Sequence, residues 1–153
     1  MKIVEVESTF VRGLHTRTKN SDEVSPSTAR IGNLWGQFYS LVADRMRPEM
    51  RKYGVYYQYE SDFSGEFNVL VGTDSNECVE PELRGVKIES GKYAVFARTG
   101  DMPKAVIDAW SEVWDYFSAT SCPYERAYIT DFELYKGLNE VDLYIAVKPH
   151  HRS

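Results

Sequence analysis

Residues 109–117 read AWSEVWDYF, and they are followed by AYITDFELY (127–135) and VDLYIAV (141–147). The same succession of patterns occurs earlier in the chain, as LWGQFY (34–39), VYYQYESD (55–62) and FNVLVG (67–72). Trp110 follows Trp35 by 75 residues, and Val141 follows Phe67 by 74. Each set consists of a helical pattern and two strand-like runs. The sequence therefore predicts a helix-and-hairpin unit that occurs twice around a shared seam.

Further strand-like runs precede each helix and complete the predicted repeat. Residues 2–18 alternate loosely between apolar and polar side chains, and residues 86–98 do so with an interruption at Ser90-Gly91. One helix is predicted over the apolar face that begins at Ile31, and the other after Pro103. The order βαββ–βαββ predicts an α+β fold, in which a mainly antiparallel sheet carries two helices on one face and a central pocket lies between the halves.

The length of the chain suits one domain over residues 1–153, with pseudo-repeats at about 1–75 and 85–149. Its 153 residues, of which 42% are hydrophobic, are enough to bury a core. The acidic, polar stretch from Thr73 to Gly85 is predicted to link the two halves.

Bulk composition excludes several classes of protein. No run of 18 apolar residues is present, which argues against a transmembrane helix, and Glu5 and Glu7 interrupt the apolar stretch that a signal peptide needs. A net charge of −5 argues against direct binding to nucleic acid. Cys78 and Cys122 are isolated and are interpreted as free thiols. We therefore expect a cytoplasmic protein that binds neither nucleic acid nor membrane.

Glu133 is the candidate functional residue, because it is an acid in an aromatic neighbourhood. On the strand 128–135 it shares a face with Tyr135, and that strand alone favours a solvated glutamate. The repeat weakens this interpretation, because Glu133 aligns with Tyr59, which shares its predicted face with Tyr57. Such an aromatic face is not typical of a surface in water, so a pocket carboxylate is the alternative.

The physical chemistry of such a site is specific. A carboxylate among aromatic rings is poorly solvated, and desolvation raises its pKa. An organic cation restores the charge balance, and each ring face adds about 0.5–2 kcal/mol through cation–π contact. Trp110 and Trp114 recur at helical spacing, which is typical of core residues, although one of them could line a cavity. The same alternatives hold for Trp35 and Phe38.

Other chemistries find little support in the sequence. The three histidines, His15, His150 and His151, have no metal-ligand spacing with cysteines or acids. No glycine-rich phosphate loop and no serine or cysteine nucleophile motif stands out. We therefore predict no metal site, no cofactor and no catalytic residue.

Several segments resemble the GyrI-like effector-binding family, which supplies the ligand domain of AraC-type and MerR-type multidrug regulators. They are IESGKYAVFARTGDM (88–102), AWSEVWDYF (109–117) and FELYKG (132–137), followed by VDLYIAV (141–147). The first half agrees with the family pattern at Gly13, at the Trp35-x-x-Phe38 pair, and in the run Tyr57-x-Tyr59-Glu60-Ser61-Asp62 before Gly65. The resemblance covers nearly the whole chain.

The resemblance implies a duplicated βαββ fold with a pocket between the halves. It also implies that the acid of the Phe-Glu-x-Tyr motif, Glu133 here, contacts a cationic lipophilic small molecule. Aromatic residues surround this acid in the family. The candidates for that role here are Tyr57, Tyr59, Trp110, Tyr135 and Tyr144, with Trp35 and Phe38 as further candidates.

Regulators of this type carry a DNA-binding helix-turn-helix region before the ligand domain, whereas the first strand here starts at Lys2. We therefore expect the freestanding form, which binds cations in regulation or drug sequestration, either alone or together with a separate DNA-binding regulator. Two alternatives remain open. One is inhibition of a topoisomerase or another protein by direct contact, and the other is hydrolysis of small electrophiles by Glu133 and Tyr135.

Overall fold

The computed structural model describes residues 1–25, 27–42, 51–61, 64–74, 84–119, 121–137 and 139–149. Within these ranges the chain forms strands and helices in the order β1 (Lys2–Val6), β2 (Thr9–Lys19), α1 (Asn20–Glu23), α2 (Ile31–Val42), β3 (Lys52–Tyr57), β4 (Glu66–Thr73), β5 (Arg84–Ile88), β6 (Gly91–Thr99), α3 (Lys104–Ser118), β7 (Tyr124–Tyr135) and β8 (Glu140–Pro149). The predicted linker from Thr73 to Gly85 lies mostly outside the described residues, as do Cys78, His150 and His151.

The strands form one antiparallel sheet in the order β1-β6-β8-β7-β3-β4-β2-β5. The first repeat supplies β2, α2, β3 and β4, and the second supplies β6, α3, β7 and β8. The two repeats meet at the centre of the sheet, where β3 pairs with β7 and Gly54 lies opposite Glu133. The predicted α+β class and the duplicated βαββ order are therefore confirmed.

The predicted first strand of the first half is in fact two strands, so this part of the prediction was wrong, whereas the interruption predicted within residues 86–98 is confirmed. Residues 2–18 divide into β1 and β2 at Glu7-Ser8, and residues 86–98 divide into β5 and β6 at Glu89-Ser90. β1 pairs with β6 of the second repeat, and β5 pairs with β2 of the first. The short links allow the chain to change to the other edge of the sheet, which a continuous strand could not do.

These links require the sheet to curl. In the strand order β1 is the first strand and β2 the last but one, yet only Glu7 and Ser8 separate them along the chain. Three residue steps from Val6 to Thr9 span at most about 11 Å. The link between β5 and β6 imposes the same limit, because it also has two residues. The two ends of the sheet are therefore close together, and the sheet has the shape of a half-barrel.

The concave face of the half-barrel holds one hydrophobic core. Val55 and Phe132 of the central strands pack there with Ile88 of β5, and Val4 of β1 packs against the same cluster. Both edge strands thus bury apolar side chains against the centre of the sheet. This burial is what holds the curled shape.

The two long helices lie on the convex face, as predicted. Leu34 and Phe38 of α2 pack against β4 side chains, and Ala109 and Val113 of α3 pack against side chains of β6 and β8. Trp110 contacts both of these clusters, so it marks the seam between the halves. Of the helices in the described part of the chain, none combines the length and apolar character needed to cross a membrane.

Two glycines, Gly13 and Gly72, face each other where β2 and β4 approach closely. Gly13 pairs with Gly72 in the ladder, and a Cβ atom added at Gly13 would lie 1.8 Å from the carbonyl oxygen of Val71. That oxygen belongs to the backbone, so a side chain at this position requires the strands to move apart.

Gly13→Ala is therefore expected to lower the free energy of unfolding by about 2 kcal/mol or more. Gly36→Ala is the matched change, because a Cβ atom there meets nothing within 4 Å and Gly36 lies inside α2. We expect that variant to be more stable than the parent by up to about 1 kcal/mol, because alanine favours a helix. Urea unfolding followed by circular dichroism measures both, and equal stability of Gly13→Ala and the parent would contradict the close approach of β2 and β4.

Candidate ligand-binding cavity

A cavity of about 450 Å³ lies between α3, the start of α2 and the central strands. This volume is in the range of about 300–1,000 Å³ that is usual for small-molecule sites. Its lining comes from both repeats and consists of Asn20, Glu23, Val24, Ile31, Tyr56, Tyr59, Phe67, Val106, Ile107, Trp110, Ser111, Trp114, Arg126 and Glu133. The predicted pocket between the halves is thus present.

Glu133 lies at the inner end of this cavity and is 4% exposed. Its Oε2 atom accepts hydrogen bonds from the hydroxyl of Tyr56 and from Nε1 of Trp110, both at 2.8 Å. Its Oε1 atom accepts a hydrogen bond from the hydroxyl of Tyr135 at 2.9 Å. The three donors come from β3, α3 and β7, so both repeats hold the carboxylate in place.

Gly54 makes room for this carboxylate from the neighbouring strand. It lies opposite Glu133 in the ladder, and a Cβ atom added there would lie 2.8 Å from Oε1 of Glu133 and 3.4 Å from the ring of Trp35. The absence of a side chain at this position allows the carboxylate to lie against the sheet, with Trp35 packed behind it.

No positive charge balances Glu133 from within the described ranges. The ion pairs found there involve other acids, and the groups that bind Glu133 are neutral. Burial raises the pKa of Glu133, and the hydrogen bonds from Trp110, Tyr56 and Tyr135 oppose that rise only in part. Burial also raises the pKa values of the Tyr56 and Tyr135 hydroxyls, so both remain protonated donors.

Asp131, two residues before Glu133 on β7, has a different environment. It is fully buried, and its Oδ2 atom lies 2.7 Å from Nη2 of Arg126. Its Oδ1 atom accepts a hydrogen bond from the backbone N–H of Ala146 at 2.8 Å, and the Tyr59 hydroxyl donates to Oδ2. Asp131 is therefore an acid whose charge the chain itself neutralises.

Arg126 links this ion pair to the aromatic wall of the cavity. Its guanidinium carbon lies 4.5 Å from the ring centre of Tyr128, 5.7 Å from that of Trp114 and 6.0 Å from that of Trp110. Its Nε atom is buried and has no hydrogen-bond acceptor among the described residues. Nε is thus a buried donor that the described residues leave without a hydrogen bond.

A second acid of the lining, Glu23, is bound at the start of α2. Its carboxylate accepts hydrogen bonds from the backbone N–H groups of Arg30 and Ile31, at 3.0 and 3.1 Å, and from the Thr18 hydroxyl at 2.6 Å. The first N–H groups of a helix lack helical partners and carry partial positive charge. The charge of Glu23 is therefore balanced locally, unlike that of Glu133.

The mouth of the cavity has an apolar rim. Among its lining residues, Val24 is 84% exposed, Ile107 58% and Trp114 37%. Large apolar side chains that are exposed around an opening are typical of sites for apolar ligands. The cavity therefore combines the acidic group of Glu133 at its inner end with an apolar entrance.

The structure brings only some of the predicted aromatic residues to the cavity. Tyr59 and Trp110 line it, and Tyr135 binds Glu133. Tyr57 and Tyr144 pack on the concave face of the sheet. The prediction that they lie beside Glu133 was therefore wrong.

The two candidate residues on α2, Trp35 and Phe38, lie outside the cavity lining. Phe38 is fully buried in the core beneath α2, and Trp35 packs behind Glu133, where its ring contacts that of Tyr135 edge-on at 5.3 Å. Of the alternatives left open by the sequence, the core position therefore holds for Phe38. Trp110 and Trp114 both line the cavity.

The alignment of Glu133 with Tyr59 was wrong because the two hairpins differ in length. Residues 58–65 separate β3 from β4, whereas only residues 136–139 separate β7 from β8. In the ladders Val69 pairs with Tyr56, and Leu143, which lies 74 residues later, pairs with Glu133. Tyr56 is thus the counterpart of Glu133, and the two side chains meet across the seam.

Backbone geometry explains why Tyr56 and Tyr59 share a face although they are three residues apart. Gln58 has a φ of 51°, which interrupts the alternation of side chains after β3. Arg17 and Asn68 hold this residue, since Nη1 of Arg17 donates to its carbonyl at 3.1 Å and Nδ2 of Asn68 donates to its Oε1 at 2.6 Å. The longer loop between β3 and β4 was the sequence feature that could have indicated this irregularity.

Sequence reasoning also missed Arg126, Asp131 and Glu23. A register shift in β7 between Arg126 and Asp131 brings both side chains to the cavity side, and simple alternation does not predict it. Arg126, the one basic residue of a strand that also carries Asp131 and Glu133, was the available signal.

Comparison with known proteins agrees with this architecture. The sequence model of the Cass2 family, described as integron-associated effector binding protein, matches residues 2–147. An integron cassette protein of Vibrio cholerae, VCH_CASS2, is 46% identical, with a TM-score of 0.88 over 96% of this chain and 95% of that one. No curated protein is significantly similar to the chain.

Two more distant structures share the fold. SAV2435, whose structure contains tetraphenylphosphonium, is 20% identical, with a TM-score of 0.71 over 96% of this chain and 93% of that one. A transcription regulation protein of Staphylococcus aureus, described as putative, is 18% identical, with the same TM-score over 96% and 97% of the two chains. Together with the family match, these similarities confirm the resemblance to the GyrI-like effector-binding family.

Glu133→Gln is expected to stabilise the empty protein at neutral and alkaline pH. The folded-state pKa of Glu133 lies above its unfolded value, so the charged form costs the folded state about 1.4 kcal/mol per unit of that difference. The cost is complete above the folded pKa and vanishes below the unfolded one, where both states bind the proton. In urea unfolding between about pH 4 and about pH 8, the free energy of unfolding of the variant should increase relative to that of the parent as pH rises.

Glu112→Gln is the matched control, because Glu112 lies on α3, is about one-third exposed and pairs with Arg98. Its stability relative to the parent should not rise with pH in this way. A Glu133→Gln variant less stable than the parent at about pH 8 contradicts the unbalanced buried charge.

Proposed function

Because the chain belongs to the family of integron-associated effector binding proteins, we propose that it binds bulky organic cations in the cavity, with Glu133 as their counter-ion. The observation that carries this proposal is the buried carboxylate of Glu133, which has three neutral hydrogen-bond donors and no basic partner among the described residues. A carboxylate in that position gains most from a ligand that brings the missing positive charge.

The walls of the cavity favour a flat or aromatic cation over a small hydrated one. Rings of Tyr56, Tyr59, Trp110 and Trp114 offer faces and edges to a ligand, and each favourable cation–π contact contributes about 0.5–2 kcal/mol. The apolar rim extends this surface outward. A metal ion or a simple ammonium ion would leave most of these contacts unused.

The tetraphenylphosphonium in the structure of SAV2435 supports a ligand of this class. That protein shares the fold at 20% identity, so its ligand suggests a probe for this chain. Tetraphenylphosphonium has a positively charged centre surrounded by four phenyl rings. An unbalanced carboxylate among aromatic residues should select a ligand of this kind.

We place this activity in the cytoplasm, where the protein would sequester a toxic cation or report its presence to a separate DNA-binding regulator. Inhibition of a topoisomerase is not favoured, because no feature among the described residues points to that partner. Hydrolysis is not favoured either, because the Tyr135 hydroxyl donates to Glu133 and burial raises its pKa, so the phenolate that would act as a base does not form near neutral pH.

The charge of the ligand should decide binding. Tetraphenylphosphonium and tetraphenylborate have nearly the same shape and opposite charge, so their relative affinities measure the electrostatic contribution of the site. We expect the protein to prefer the cation, and Glu133→Gln to weaken cation binding by about tenfold or more, since a charge-assisted interaction contributes about 1.5–3 kcal/mol. Quenching of tryptophan fluorescence by each ligand gives both dissociation constants.

Glu112→Gln serves again as the control, because it removes one negative charge from α3 outside the cavity lining. It should leave the preference for the cation unchanged. Equal affinity of the parent and Glu133→Gln for tetraphenylphosphonium would remove the proposed role of Glu133, and equal affinity of the parent for both ions would remove the proposed ligand class.

Cation binding should weaken in acid. Burial raises the pKa of Glu133, and the protonated acid offers no charge to a cation. Below that raised pKa the affinity for tetraphenylphosphonium should fall by up to about tenfold per pH unit, and binding should release protons. Calorimetric titrations in buffers of different ionisation enthalpy measure the release, while Glu133→Gln should bind with little dependence on pH. A parent affinity that does not fall as the pH is lowered from about 8 to about 4, below the ordinary pKa of glutamate, contradicts this coupling.

A further inference from the structure

The geometry points to a narrower class of ligand for the same cavity, and this inference rests on the function proposed above. We propose that the site selects cations that carry no N–H group, such as quaternary ammonium and phosphonium ions, over protonated amines of the same shape. The reason lies in how the hydrogen bonds of Glu133 are distributed between its two oxygen atoms.

One oxygen atom of Glu133, Oε2, is bound by two residues of the cavity wall. It accepts a hydrogen bond from the Tyr56 hydroxyl and another from Nε1 of Trp110, both at 2.8 Å. Both donors line the cavity together with Glu133. A carboxylate has about four lone-pair positions, which is about two for each oxygen atom. A ligand N–H group would therefore have to displace one of these donors to bind Oε2.

The other oxygen atom, Oε1, is surrounded by residues outside the cavity. It accepts a hydrogen bond from the Tyr135 hydroxyl at 2.9 Å, and a Cβ atom added at Gly54 would lie 2.8 Å from it. The same Cβ atom would lie 3.4 Å from the ring of Trp35. Tyr135, Gly54 and Trp35 do not belong to the cavity lining. The acceptor position that Oε1 retains is therefore not directed toward a ligand.

A protonated amine loses more in this cavity than a cation without N–H groups. Beside Glu133 the cavity offers the hydroxyl oxygens of Tyr56 and Tyr59, which already donate to Glu133 and Asp131. These neutral oxygen atoms are weaker acceptors than a carboxylate. An ammonium N–H group gives up strong hydrogen bonds to water on entry, and poor pairing inside leaves that loss uncompensated. A quaternary centre has no such hydrogen bonds to lose.

Glu133 still attracts a cation that donates no hydrogen bond. Coulomb attraction falls only with the inverse of the distance, and it is stronger in a poorly hydrated interior than in water. The rings of Trp110 and Trp114 offer contacts to the carbon substituents of an onium centre. The site thus provides charge and apolar surface but withholds the acceptor that an ammonium N–H group requires.

Imipramine and N-methylimipraminium form a matched pair of probes. Imipramine is protonated at neutral pH and carries one N–H group on its cationic nitrogen, which a methyl group replaces in the quaternary ion. Burial of a methyl group alone accounts for about fourfold in affinity. Because the poorly paired N–H group adds a further factor of about five, the parent should bind the quaternary ion about twentyfold more tightly. Isothermal titration calorimetry gives both dissociation constants.

Tyr56→Phe tests whether saturation of Oε2 causes this preference. The variant frees one acceptor position of Oε2 beside the cavity, so the N–H group of imipramine gains a partner and the preference should fall to about fourfold. Tyr135→Phe is the matched control, because it removes a hydroxyl from the same carboxylate but frees Oε1. Both hydroxyls lower the pKa of Glu133, so both variants shift its charge in the same direction. The ratio of the two affinities should stay at about twenty in Tyr135→Phe.

A second variant frees the same oxygen atom if Tyr56→Phe folds poorly. Replacement of Trp110 by benzothienylalanine keeps the shape of the ring system and removes the N–H group that donates to Oε2. The preference for the quaternary ion should fall as it does in Tyr56→Phe.

The outcomes separate this inference from the proposed function. If the parent binds the two ions within about fourfold of each other and Glu133→Gln weakens both, the selection against N–H groups is overturned and the cation site stands. The inference also fails if the preference survives the loss of a donor to Oε2, or if Tyr135→Phe abolishes it. Binding of tetraphenylphosphonium without binding of N-methylimipraminium overturns it as well. Failure of all three cations to bind would remove both proposals.

Discussion

The structure depends on a carboxylate that the fold withdraws from water and surrounds with neutral donors. Tyr56 comes from the first repeat, and Trp110 and Tyr135 come from the second, so Glu133 is held only when the two repeats are joined. Because the carboxylate of Glu133 loses its hydration, its burial lowers the stability of the folded chain. The apolar core on each face of the sheet must outweigh that cost, and the site persists because the surrounding packing fixes it.

Topology explains why this carboxylate lies where a ligand can reach it. The exchange of β1 and β5 between the repeats curls the sheet and buries its concave face, which leaves the convex face to the helices. α2 and α3 cover different halves of that face, and the gap between them lies over the pairing of β3 with β7. Gly54 opposite Glu133 keeps the floor of the gap open. The cavity is thus a consequence of duplication and curling.

Much of this architecture could be predicted from apolar periodicity, because the two helices and both hairpins repeat at nearly constant spacing. The pairing of the edge strands could not be predicted, because β1 and β5 each pair with a strand of the other repeat. The division at Glu7-Ser8 also escaped prediction, because this link carries no strong turn signal. Glu133 could be predicted as the candidate acid, but its neighbour Tyr56 could not. Alternation fails at Gln58, and a register shift carries Arg126 to the cavity, so both depend on tertiary contacts.

Asp131 and Glu133 show why one buried acid is structural and the other is proposed to bind a ligand. Both lie on β7 and point to the same side of the sheet, and both are bound by tyrosine hydroxyls. Asp131 has Arg126 at 2.7 Å, so its charge is balanced whether or not the cavity is filled. Glu133 has only neutral partners, so balance must come from a proton or from a ligand. A chain can tolerate such an imbalance where it serves function, because a nearby cation would remove the penalty and convert it into affinity.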